Sequence, residues 1–176
     1  MSSLPAWDRD RDRDPTGRPR NARPRDGLGR PLPHGATGVP TTPDDLVLTP
    51  GAALDEAQRL LDAGRPFHAH EVLEAVWKAA PPPEREFWRG LAQLAVGLTH
   101  VRRGNPTGAA RLLTRAADRI DGYAERCPYD VPVADLVRFG RELAERLCDG
   151  PVSAHAPVPD VPRLRPAAGH RRTAER

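Results

Sequence analysis

Glu84-Arg85-Glu86-Phe87-Trp88-Arg89-Gly90-Leu91-Ala92-Gln93-Leu94-Ala95-Val96-Gly97-Leu98-Thr99-His100-Val101-Arg102-Arg103-Gly104-Asn105-Pro106 is the stretch that decides the fold. Phe87, Leu91, Leu94, Ala95, Leu98 and Val101 recur at helical spacing, with acids in the first turn and Arg102 and Arg103 in the last. Gly104 ends that helix, and Asn105-Pro106 opens another at once. So short a joint makes the two helices an antiparallel hairpin.

Working outward, Leu112, Leu113, Ala116 and Ile120 form the inner stripe of the fourth helix. Asp130 and Pro132 open a fifth, striped by Leu136, Gly140, Leu143 and Leu147. Upstream, Thr49-Pro50 is an N-cap with proline at the first helical position; Leu54, Ala57, Leu60 and Leu61 follow, and Gly64 stops the helix. A second helix runs from about Pro66 to Ala80 and is stopped by Pro81-Pro82-Pro83. Nothing reads as a strand, and no repeat of helical-array period occurs. The expected fold is an all-α, up-and-down bundle of about five helices over residues 44–150.

The flanks differ in kind. Residues 1–43 hold eight Arg and five Asp among much of the proline and glycine, and residues 151–176 hold five Arg and two acids. Neither stretch has a hydrophobic period, so both read as disordered tails that cannot bury enough apolar area to offset ordering. The tails carry 13 Arg against 7 acids, whereas residues 44–150 carry 14 basic residues against 17 acids. The basic excess belongs to the tails. Its use in nucleic-acid binding is disfavoured by the alternating Asp-Arg run at 8–14, which neutralises itself locally. No apolar run approaches the roughly 18 residues of a membrane span or resembles a signal peptide. Cys127 and Cys148, at opposite ends of the last helix and roughly 25 Å apart, cannot bridge. The expectation is a cytoplasmic protein with free thiols.

The second helix holds the informative cluster. On a helical wheel His70 and Glu74, four apart, fall beside Phe67, Leu73 and Trp77 on the inner side, while His68, Glu71 and Lys78 fall on the outer. The third helix has a narrow polar stripe of Arg89, Gln93 and His100, flanked by Gly90 and Gly97. Two interior glycines imply a close neighbour, a backbone or the ring of Trp77 or Trp88. If the second helix packs there, His70, Glu74, Trp77, Gln93 and His100 converge. Trp77, Trp88 and Phe87 read as core aromatics.

The string Phe67-His68-Ala69-His70-Glu71-Val72-Leu73-Glu74, then Trp77, Arg89-Gly90-Leu91-Ala92-Gln93-Leu94-Ala95, His100, Arg103-Gly104-Asn105 and Gly108-Ala109 resembles the bacterial and archaeal family called domain of unknown function 309. The likeness covers roughly Leu54 to Ile120. It implies an all-helical fold and assigns no reaction.

Several readings of the cluster follow. One is a buried interhelical hydrogen-bond network that sets bundle register, in a non-catalytic interaction or small-ligand-binding module with a protein or small-molecule partner. Another is a metal-dependent enzyme, a hydrolase, with His70, Glu74 and His100 holding a divalent zinc, iron or manganese ion. Acid–base chemistry without metal lacks a nucleophile, since Thr99 and Thr107 read as surface and first-turn residues. Substrate and oligomeric state are not legible.

Overall fold

The computed structural model describes residues 23–39, 48–149 and 161–165. The Asp-Arg run at 8–14 and most of both tails lie outside the described residues. Five helices follow in chain order: α1 (Pro50–Asp62), α2 (Pro66–Ala79), α3 (Pro82–Arg102), α4 (Pro106–Asp121) and α5 (Val133–Cys148). No strand occurs among the described residues, and no described helix is long and apolar enough to cross a membrane. The all-α expectation holds.

Helices α1 and α4 begin at a side-chain cap. Thr49 Oγ1 accepts from the Ala52 amide 3.3 Å away, and Asn105 Oδ1 accepts from the Gly108 amide at 2.9 Å, satisfying donors a helix start leaves open. The triple proline does two jobs. It ends α2, and Pro82 and Pro83 then become the first residues of α3, where a missing N–H costs nothing. Gly64 and Gly104, at φ +71° and +72°, adopt the left-handed turn after α1 and α3.

The helices pack as sequence neighbours: α1 on α2, α2 on α3, α3 on α4, α4 on α5. A continuous core runs through them, with Phe87, Trp88, Leu91, Leu94, Leu113 and Ile120 at its centre. Thr99, expected on the surface, is buried and back-bonds to the Ala95 carbonyl at 2.9 Å. Both cysteines are exposed free thiols.

Two short pieces depart from the tail reading. Residues 23–39 belong to a separate compact unit, in which Asp26 Oδ1 accepts from the Leu28 and Arg30 amides and Arg25 bridges Pro31. Residues 161–165 lie along α1, with Leu164 buried in the helical core. In both, specific hydrogen bonds or one buried side chain offset the ordering that composition alone argues against.

Candidate functional site

The first correction concerns α2. Its buried residues are Pro66, His68, Ala69, Val72 and Leu73, so the inner face is turned toward His68 and away from His70. His68 is only 2% exposed and meets Phe67 edge-on, the ring centroids 5.6 Å apart. His70 and Glu74 stand at the margin, with side chains 23% and 31% exposed. The cause is tertiary. Helix α2 is sandwiched between α1 and α3, so the buried arc is centred on Ala69, Val72 and Leu73. Both histidines lie at edges of that arc, and the wheel does not rank them.

The pair is therefore a rim feature. His70 Nε2 lies 3.6 Å from Glu74 Oε2, and Glu74 Oε1 lies 3.3 Å from Lys78 Nζ. All three stand on α2, so this chain of contacts does not tie helix to helix. Trp77, expected in the core, is half-buried beside them, whereas Trp88 and Phe87 are fully buried as expected.

Facing this rim, α3 and its C-cap present Arg89, Gln93, Val96, His100 and Arg103, a stripe at helical spacing that is half-buried along its length. The two helices meet at both ends of it. The Arg89 guanidinium lies over the Trp77 ring at 5.4 Å, and Arg103 over Phe67 at 5.8 Å. Helix α4 closes the other side. Arg119 Nε donates to Gln93 Oε1 at 3.0 Å and pairs with Glu86, so Gln93 serves α4 and not the His70–Glu74 pair. At the far end Asn105 Nδ2 and His100 Nδ1 are 3.0 Å apart.

The two glycines mark a close approach, but by α4. A Cβ at Gly90 would come within 2.4 Å of Ile120 Cγ2, and one at Gly97 within 2.9 Å of Leu113. The tryptophan rings are not what covers them. Gly108 has the same logic at the seam's end, where a Cβ would meet His100 Nδ1 at 2.7 Å and Asn105 Nδ2 at 2.5 Å.

Both seam histidines favour the neutral form. Burial pushes the His70 imidazole below its ordinary range; Glu74 opposes this and Lys78 adds to it. Burial and the charge of Arg103 do the same to His100.

These residues form a seam running the length of α3. His70, Glu74, Trp77, Gln93 and His100 all lie on or beside it; His70 and Glu74 meet, whereas Gln93 and His100 are engaged by Arg119 and Asn105 instead of converging on that pair. Among the described residues no three His, Cys, Asp or Glu side chains gather as metal ligands would, so the set of His70, Glu74 and His100 is not assembled. Arg119 escaped the sequence reading, and Phe67, Arg103, Asn105 and Gly108 entered it as a ring neighbour, a helix end, a cap and a motif residue without being assigned to the site. Arg103 continues the Arg89–Gln93–His100 spacing and was legible in principle. Arg119, 26 residues from Gln93, was not.

The class so defined is a small all-helical domain with a polar seam over its central helix. Residues 54–112 match the family model described as Domain of unknown function (DUF309). The chain is 49% identical over 51 residues to the uncharacterized protein YpuF of Bacillus subtilis (strain 168), covering 28% of this chain and 29% of that protein. It is 36% identical over 64 residues to an uncharacterized protein of Aquifex aeolicus (strain VF5), covering 36% of this chain and 19% of the other. It thus spans less than a third of the length of these curated relatives. No solved structure matches. The resemblance carried by the motifs holds, and every seam residue named above except Arg119 falls within the matched segment.

Proposed function

We propose that this domain is a non-catalytic binding module whose working face is the α2–α3 seam, and that the seam takes a carboxylate-bearing ligand or an acidic segment of a partner. The observation that carries this is a guanidinium placed over an aromatic ring at each end, Arg89 over Trp77 and Arg103 over Phe67. A guanidinium carries a planar N–H fork that matches a carboxylate in two parallel bonds, and Arg89 already lies 3.5 Å from the Glu86 carboxylate. Between the two ends lie the Gln93 amide, the Val96 methyls and two neutral imidazoles. These are groups that recognise and orient, with no side chain among them paired as nucleophile and base.

Trp77 reports on this face directly, because it is half-buried on the seam while Trp88 is fully buried. With Trp7→Phe removing the remaining tryptophan, titration with a glutamate-rich octapeptide and with citrate should change Trp77 emission saturably. Arg103→Ala, at the opposite end from the reporter, should weaken the apparent affinity at least about tenfold, the loss of one charge-assisted bidentate contact. A response that does not saturate, or an affinity indifferent to Arg103, would sink this reading.

A further inference from the structure

The outer stripe of α1 carries a second arrangement, separate from the seam. Asp55, Gln58 and Asp62, at i, i+3 and i+7, share one line of the helix. Along it lies Val161-Pro162-Arg163-Leu164-Arg165. The segment alternates as an extended chain does: Pro162 and Leu164 are buried, and Arg163 points to solvent. Leu164, 1% exposed, enters the core, and Val161 packs against it.

The polar contacts fix direction and register. Gln58 Nε2 donates to Asp62 Oδ1 at 2.9 Å, which orients the amide so that Gln58 Oε1 accepts from the Leu164 backbone N–H at 2.6 Å. Arg163 Nη1 reaches Asp62 Oδ2 at 3.6 Å, and Arg165 Nε reaches Asp55 Oδ1 at 3.3 Å. Arg165 also overlies the first turn of α1, since a Cβ on Gly51 would sit 3.6 Å from its Nη1. The segment therefore runs antiparallel to α1, with one leucine seated between two arginines that each meet an aspartate.

We infer that this face of α1 is a docking site for a short linear segment of the form Arg-Leu-Arg, and that the chain's own residues 161–165 are its resident occupant. Two further observations support exchange with a partner's segment of the same chemistry. The acceptor residues Asp55, Gln58 and Asp62 lie within the family-matched segment and the occupant lies outside it, so the receiving surface belongs to the shared domain and the strap does not. The footprint is also small: buried Pro162 and Leu164, half-buried Val161, one hydrogen bond and two solvent-exposed ion pairs. Contacts of that kind hold a tethered segment through high local concentration and release it readily.

The test uses the full chain and a fluorescein-labelled peptide copying residues 156–169. Leu164→Asp in the full chain empties the site. The peptide should then bind this variant at least about tenfold more tightly than the wild type, whose own tail competes. Adding Asp55→Arg and Asp62→Arg should lose that binding again. Equal affinity for wild type and Leu164→Asp, or indifference to the two aspartates, overturns the proposal. Should Leu164→Asp fail to fold, hydrogen exchange on the wild type decides. Exchange at Leu164 should speed up at least about tenfold from low to molar salt while α3 amides do not change. Exchange at Leu164 that tracks the α3 core at every salt concentration means the strap opens only on global unfolding and refutes a docking site.

Discussion

Asn105 uses both ends of its amide at the α3–α4 joint, where Oδ1 caps the Gly108 N–H and Nδ2 donates to His100 Nδ1. With Nδ1 accepting, the imidazole proton sits on Nε2, the neutral tautomer that burial and Arg103 also favour. Gly108 is needed because any side chain there would collide with both partners. Glu74 is the opposite case, a motif residue whose surroundings constrain it little. Its partners His70 and Lys78 are one turn away on its own helix, and its side chain is 31% exposed. Ion pairs of that kind contribute about 0.2–1 kcal/mol. Glu74→Ala should therefore destabilise by less than about 1 kcal/mol in urea unfolding. A loss above about 2 kcal/mol would restore the buried network that the helical wheel suggests.

At the scale of elements, α3 is set apart by what lies against it. Its glycine edge lets α4 approach until Ile120 and Leu113 fill the space a side chain would take. Gly90→Ala gains about 1 kcal/mol of helix propensity but forces Ile120, fully buried, to move, an overpacking of about 1–3 kcal/mol. The expected net is a loss of up to about 2 kcal/mol, whereas Gly122→Ala, with nothing within 4 Å, should be neutral or stabilising. Equal effects at the two sites in thermal melts would show that α4 does not bear on Gly90. The link from α4 to α5 is held differently. Cys127, Tyr129 and Asp130 all have positive φ, a conformation costly for residues other than glycine. Tyr129 is anchored by its hydroxyl, which donates to Glu84 Oε2 at 2.5 Å, and Trp88 Nε1 donates to the same oxygen at 3.3 Å. Burial, then Glu84, raises the Tyr129 phenol to about 12, so it stays a donor throughout the working pH range.

For the molecule as a whole, the two seam histidines predict how stability follows pH. Each has a folded pKa below the ordinary value of 6.5, so between the two values the unfolded chain binds more protons. Stability should be full above about pH 6.5 and fall as pH drops through that window. The urea midpoint should decrease from about pH 7.5 to 5.5, and less steeply in His70→Gln. A flat or rising midpoint would mean that Glu74, not burial, governs His70. The helices, their caps, the α3–α4 hairpin and the motif string were legible from sequence, because periodicity, capping and short joints act between residues a few positions apart. The site was legible as a set of names but not as an arrangement. His68 was set outside and His70 inside because a wheel has no knowledge of α1, which covers the far side of α2. Gln93 found Arg119, Gly90 found Ile120, and Leu164 found Gln58, 106 residues away. Sequence by itself determined which elements form and where they end. Only the tertiary structure decided which edge of each helix is covered, because that depends on contacts between segments whose separation leaves no local trace.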